Sequence, residues 1–147
     1  MGAGLSKEFI SPIRVYIEDT DAGGIVYYVN YLKYMERART ELFRELGIER
    51  PSMLTSGLLL VVASANIVYK SPARLDDVLD VSAQVGKLAR TYIDLKQNVY
   101  RSSLCLCQGE IRIACVERQT MKPKALPEAV HQAFHHHSFG KEQGIHE

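Results

Sequence analysis

One amphipathic stretch, from Asn30 to Leu46, constrains the fold of this chain more than any other feature. Its apolar residues recur at steps of four, three, four and four, which is the spacing of one helix face: Tyr31, Met35, Ala38, Leu42 and Leu46. Asn30 is placed to act as the N-cap, and Gly47 is placed to end the helix. The sequence therefore predicts one long helix with a single buried face.

Segments of β-type sequence surround this helix. Before it, Ile13, Val15 and Ile17 alternate with more polar residues, which is typical of a strand with one buried face. After it come four runs rich in Val, Ile and Tyr, at about 58–69, 78–88, 92–100 and 104–117. This order, with its short connections, predicts an α+β fold in which an antiparallel sheet of about five strands wraps around one helix.

The length of 147 residues and a hydrophobic fraction of 46% predict a single domain, which we place at residues 1–134. Residues 128–134 are expected to form a short helix. Residues 135–147 carry three adjacent histidines and no apolar periodicity, so they are expected to be a disordered polar tail. Adjacent histidines do not share a face of a helix or strand, and no metal site is expected.

Charge and composition exclude several classes of function. A net charge of +1 gives no general attraction to nucleic acid or to an anionic membrane. No apolar run reaches membrane-spanning length and no signal peptide is visible, which predicts a cytoplasmic protein without integral membrane contact. Cys105, Cys107 and Cys115 are expected to be reduced core thiols.

Several familiar catalytic motifs are missing from the sequence. It contains no Gly-x-Ser-x-Gly elbow, no glycine-rich dinucleotide or phosphate loop, and no histidine before position 131. No cofactor is therefore expected, and a mechanism that depends on a carboxylate remains.

The segment between the first strand and the helix, residues 18–31, carries the candidate chemistry. It places Asp19 and Asp21 just before a helix start, where free N–H groups and the macrodipole can stabilise a developing oxyanion. A carboxylate beside such a site can act on a carbonyl as a base or as a nucleophile. The same Asp-x-Asp spacing also caps ordinary turns or opens calcium loops, although no glutamate closes a calcium loop here. From these residues alone, catalysis and a structural turn both stay open.

The same segment carries a resemblance to a known family. Residues 16–31 (YIEDTDAGGIVYYVNY), 35–41 (MERARTE), 69–79 (YKSPARLDDVL) and 121–127 (MKPKALP) closely resemble the 4-hydroxybenzoyl-CoA thioesterase family, especially its YbgC-type acyl-CoA thioesterases. The resemblance covers nearly the whole chain except its two ends. It implies a hotdog fold, homodimers that commonly pair into homotetramers, and active sites at the subunit interface.

The resemblance also implies roles for individual residues. The family's catalytic aspartate falls on Asp21, and its carbonyl-polarising backbone N–H falls on Tyr28, whereas Asp19 shapes the loop. Gly23 and Gly24 are expected to let the loop backbone approach the substrate, and Arg90 is expected to bind coenzyme A.

The sequence departs from the family pattern at one of these positions. Many YbgC-type members have histidine where this chain has Tyr28, so a pH profile governed mainly by a carboxylate is expected. Another hotdog branch uses a glutamate on the helix, but Glu36 is interpreted as structural because Asp21 already matches.

These residues predict a thioester hydrolase that releases a free acid and coenzyme A from an acyl-CoA substrate, with acyl carrier protein as a possible alternative carrier. A noncatalytic acyl-CoA or acyl-carrier-protein binding module on the same fold is the alternative. A hydratase that acts on an enoyl thioester is disfavoured, because the chain offers no histidine near the core.

Overall fold

The computed structural model describes residues 6–51, 54 and 57–140. These residues form the five-stranded antiparallel sheet that the sequence predicts, and its strand order is β1-β3-β4-β5-β2. The strands are β1 (Glu8–Arg14), β2 (Leu58–Tyr69), β3 (Val78–Leu88), β4 (Tyr92–Arg101) and β5 (Leu104–Glu117). The two helices are α1 (Asn30–Glu45) and α2 (Glu128–His135).

Helix α1 packs on one face of the sheet through the predicted stripe. Tyr31, Met35, Ala38 and Leu42 are all buried, and Gly47 follows the helix with a φ of 83°, which confirms its predicted role as the stop. Gln97 of β4 is fully buried beneath α1, and its side-chain Nε2 donates to the Met35 carbonyl at 2.9 Å. The helix is thereby fixed to the sheet by a polar contact as well as by apolar packing.

Two local predictions around this framework are wrong. Asn30 is the first residue of α1 and makes no capping bond, because its side chain is used elsewhere. Ile13 and Val15 are buried, but β1 ends at Arg14, and Ile17 starts a 3-10 turn with its side chain 75% exposed. The Asp19 carboxylate accepts a bond from the backbone N–H of Tyr16 at 2.9 Å, which closes that turn and ends the alternation.

The strand directions place the connecting loops at two opposite ends of the sheet. Residues 15–29 lie beside the first residues of β3, because Val15 N–H donates to the Asp77 carbonyl at 2.9 Å and Ile25 bridges Arg74. The turn between β3 and β4 lies beyond the other end of β3, which is 11 residues long. The first end therefore holds the candidate catalytic loop.

The C-terminal part of the described chain is more ordered than predicted. Helix α2 forms as expected, with Phe134 fully buried against Phe43. The predicted tail is wrong for its first residues, since His135 ends α2 and His136–Gly140 form a π-helical turn with Ser138 buried. Sequence polarity hid this turn, because it has no periodic apolar stripe; the Ser138 carbonyl accepts a bond from Lys7 N–H at 3.4 Å. Residues 141–147 lie outside the described residues.

Candidate active site

The loop that carries the catalytic candidates is a small paired structure. Thr20 bridges Val26, and the backbone N–H of Asp21 donates to the Ile25 carbonyl at 2.9 Å. One arm of the loop, residues 19–21, therefore lies antiparallel to the other arm, residues 25–27. This pairing places Asp21 beside the tip at 22–24, while the second arm leads directly to α1.

Asp21 presents its carboxylate at the tip of this loop. Its side chain is exposed, and Oδ1 accepts a bond from the backbone N–H of Gly23 at 2.9 Å. The Asp21 carbonyl accepts a bond from Gly24 N–H at 3.0 Å, which makes a tight turn. The second carboxylate oxygen has no hydrogen-bonding partner among the described residues, so it is available to act on a substrate or a water molecule.

Gly23 and Gly24 both lie in this turn. A Cβ at position 23 would lie 3.4 Å from Asp21 Oδ1, at the edge of ordinary contact. Gly24 has a φ of 78°, a conformation that residues with a side chain rarely adopt. Gly24 therefore gives the turn its shape, whereas the spacing at position 23 leaves room for a Cβ.

Tyr28 lies two residues before the first residue of α1. No carbonyl in the described part of the chain accepts a bond from its backbone N–H. It lies just before a 16-residue helix, and the dipole of that helix places partial positive charge at this end. The arrangement suits a carbonyl oxygen that gains negative charge.

A cluster of tyrosines surrounds this helix start. The Tyr28 ring is 58% exposed and meets Tyr69 edge-on, with the ring centroids 5.9 Å apart. Tyr69 also contacts Tyr31 at 5.6 Å, and the Tyr31 hydroxyl accepts a bond from Ala73 N–H at 2.9 Å. Burial raises the pKa of both Tyr31 and Tyr69, so these rings stay neutral beside the loop.

Asp19 differs from Asp21 in its surroundings. It is only 8% exposed, and its carboxylate is held by the Tyr16 N–H. Burial, followed by the neighbouring Asp19 carboxylate, raises the pKa of the Tyr34 hydroxyl, which is itself buried. These contacts support the prediction that Asp19 shapes the loop.

Two other candidates lie away from this loop. Arg90 occupies the turn after β3, and a strand of 11 residues spans about 33 Å between that turn and the loop, at roughly 3.3 Å for each residue step. One copy of the chain therefore does not bring Arg90 to Asp21. Glu36 is exposed on α1, two turns after Tyr28, beside a cavity of about 160 Å³ between α1 and β2.

Sequence reasoning missed Tyr69 and the bonding role of Asn30. Tyr69 ends a strand that is distant in sequence, so no local pattern connects it to Tyr28. The position of Asn30 before the apolar stripe favours an N-cap and carries no signal of a bond to Asp19.

Comparison with known proteins identifies the family. A family model described as thioesterase-like superfamily matches residues 15–134. The chain belongs to this thioesterase-like superfamily.

Curated relatives of this superfamily member cover most of its length. An acyl-CoA thioesterase YbgC of Haemophilus influenzae is 42% identical over 133 residues, which are 90% of this chain and 98% of the relative. An acyl-CoA thioesterase YbgC of Helicobacter pylori is 36% identical over 123 residues, with 78% of this chain and 90% of the relative covered. The predicted YbgC-type resemblance is therefore confirmed.

Solved structures confirm the predicted hotdog fold. A hypothetical protein of Aquifex aeolicus superposes with a TM-score of 0.78 at 30% identity, covering 86% of this chain and 98% of that one. A 1,4-dihydroxy-2-naphthoyl-CoA thioesterase of Synechocystis gives a TM-score of 0.80 at 21% identity, covering 87% and 96%. The second likeness concerns the fold alone.

Proposed function

We propose that this chain hydrolyses an acyl-CoA thioester to a free acid and coenzyme A, with Asp21 as the base or nucleophile and the Tyr28 backbone N–H polarising the carbonyl. The names of the YbgC relatives support the activity and the substrate class. The assignment of these two residues rests on one observation: the loop that exposes the Asp21 carboxylate continues to a Tyr28 N–H without a hydrogen-bonding partner among the described residues.

One carboxylate and one N–H donor are sufficient for the hydrolysis of a thioester. The carbonyl oxygen accepts a hydrogen bond from Tyr28 N–H, and one such donor typically lowers the barrier by about 2.7–4 kcal/mol. Asp21 either attacks the carbonyl carbon to form a mixed anhydride, which water later hydrolyses to the free acid and the Asp21 carboxylate, or removes a proton from the water that attacks the carbonyl carbon. The coenzyme A thiolate then leaves without the proton that an amine would need.

A homodimer is part of this proposal, and the edge of the sheet supports it. Strand β2 has 12 residues and pairs with β5 on one side only. Val62 is 51% exposed and Val68 50% exposed on this strand. Long apolar edge strands readily pair with another chain, and antiparallel pairing of two β2 strands would continue the sheet through both copies.

Such pairing gives Arg90 a role that one copy cannot. Antiparallel β2 strands place the β3–β4 turn end of one copy beside the catalytic loop end of the other. Arg90 of one copy can then contact the phosphates of a coenzyme A held at Asp21 of the other copy. Two dimers of this kind would form the homotetramer that the family resemblance implies.

A reducing compartment and a choice of carrier complete the proposal. Cys107 and Cys115 are free and buried, and Cys105 is free and half-buried, which is compatible with the cytoplasm. Within the described ranges, no helix is long and apolar enough to cross a membrane.

Acyl carrier protein is the alternative carrier, because the loop chemistry recognises the thioester and not the coenzyme.

The test is thiol release from short, medium, long and aromatic acyl-CoAs by the wild type and by Asp21→Asn. We expect turnover on at least one substrate and its loss in the variant. Acyl-CoA binding without turnover by the wild type on any substrate, acyl carrier protein thioesters included, would favour the noncatalytic binding module.

A further inference from the structure

The side chain of Asn30 connects the start of α1 to the catalytic loop. Asn30 is 8% exposed, and its Nδ2 donates to the Asp19 carbonyl at 2.8 Å. The same carbonyl accepts a bond from Tyr27 N–H at 3.0 Å. One carbonyl oxygen therefore binds both the second arm of the loop and the first residue of the helix.

The positions of the bonded residues make this connection relevant to the chemistry. Asp19 precedes Asp21 by two residues, and Asn30 follows Tyr28 by two residues. The bond thus closes the base of the loop that carries both reacting groups. Asp19 is itself fixed, because its carboxylate holds Tyr16 N–H at 2.9 Å and its side chain is buried.

We propose that Asn30 is a positioning residue, which sets the distance between the Asp21 carboxylate and the Tyr28 N–H through the Asp19 carbonyl. This inference rests on the proposed function. The bond from Tyr27 N–H joins the two arms, whereas the Asn30 amide ties the first residue of the helix to the backbone of the first arm. A reacting carbonyl must meet both groups at once, so a shift of about 1 Å between them can lower the rate about a hundredfold.

The test compares three variants of the full-length chain. Asn30→Asp keeps the size of the side chain but replaces the donor with a carboxylate, which repels the Asp19 carbonyl. Asn30→Ser keeps a shorter donor. Asn98→Asp is the matched control, because Asn98 lies on the opposite face of β4 from Gln97, which contacts α1, and its amide donates to the Tyr100 hydroxyl at 3.0 Å.

We expect Asn30→Asp to lower kcat about ten- to a hundredfold while KM changes by less than about twofold. Asn30→Ser should recover part of that loss, and Asn98→Asp should behave as wild type. Hydrogen–deuterium exchange of residues 19–29 should accelerate most in Asn30→Asp, less in Asn30→Ser and not at all in Asn98→Asp. This second measurement reports the bond independently of turnover.

The inference is overturned if Asn30→Asp retains the kcat of Asn98→Asp, or if exchange in residues 19–29 is unchanged. It is also overturned if the lost turnover merely follows a lost folded fraction and Asn30→Ser restores none of it. A wild type that releases no thiol would instead contradict the proposed function. The exchange result would still decide whether Asn30 holds the loop.

Discussion

Gly109 of β5 lies directly against Met35 of α1. A Cβ at position 109 would lie 2.8 Å from the Met35 Sδ and 2.9 Å from the backbone oxygen of Gln97. The helix can approach the sheet this closely because position 109 has no side chain. The approach also lets Gln97 reach the helix backbone at the Met35 carbonyl.

Gly109→Ala should therefore lower the free energy of unfolding by about 1–3 kcal/mol, because a backbone oxygen on one side cannot move away as a side chain can. Urea unfolding at neutral pH measures the loss. Gly86→Ala is the control, since a Cβ there meets nothing closer than 3.6 Å. Equal effects of the two substitutions would contradict this account of the contact.

The two aspartates of the loop should respond differently to substitution. Asp21→Asn should lower kcat about a hundredfold or more, because the exposed carboxylate loses its basicity, while the fold persists. Asp19→Asn should lower kcat less than Asp21→Asn does. It should also reduce the midpoint of thermal unfolding, because a neutral amide oxygen accepts the bond from Tyr16 N–H more weakly than the buried carboxylate does. Thiol release and thermal unfolding of both variants check the prediction, and a reversed order of the two kcat values would exchange their roles.

The exposed edge strand should control assembly. The double variant Val62→Lys/Val68→Lys should convert a dimer into monomers, because it adds four positive charges along the two paired β2 strands. Val78→Lys provides the control at an equally exposed valine near the opposite edge. Sedimentation velocity distinguishes the species, and a double variant that sediments like wild type would locate the interface elsewhere.

His137 should make stability depend on pH. Burial, followed by the positive charges of Lys7 and His136, lowers its pKa, whereas Glu45 opposes them. The unfolded chain then binds a proton at higher pH than the folded chain does. The contribution of His137 to the free energy of unfolding is therefore fully present above about pH 6.5, and it is lost as the pH falls from the unfolded-state pKa toward the lower folded-state pKa. Urea unfolding between pH 8 and 5 should show a shallower slope for His137→Gln. An unchanged slope would exclude His137 as the source.

The three thiols should differ in reactivity. Burial raises the pKa of Cys107 to about 12, with a smaller contribution from Cys105, and burial also raises the pKa of Cys115. Iodoacetamide at pH 8 should therefore modify half-buried Cys105 first and leave the other two protected until urea is added. Peptide mass spectrometry measures the order, and early labelling of Cys107 would contradict its burial.

The sequence by itself determined the fold class, the long helix and four of the five strands. These elements have strong periodicity and clear turn residues, so local propensity and the buried pattern agree. The family motif also placed Asp21 and Tyr28 on one loop, since the two residues are close in the chain.

Only the tertiary structure decided how that loop is held and where the other candidates lie. Asn30 binds the Asp19 carbonyl instead of capping α1, and Tyr69 meets Tyr28 from a strand distant in sequence. Arg90 lies at the far end of β3, because an antiparallel strand carries the chain away from the loop. Such contacts depend on strand order and direction, which local sequence patterns do not specify.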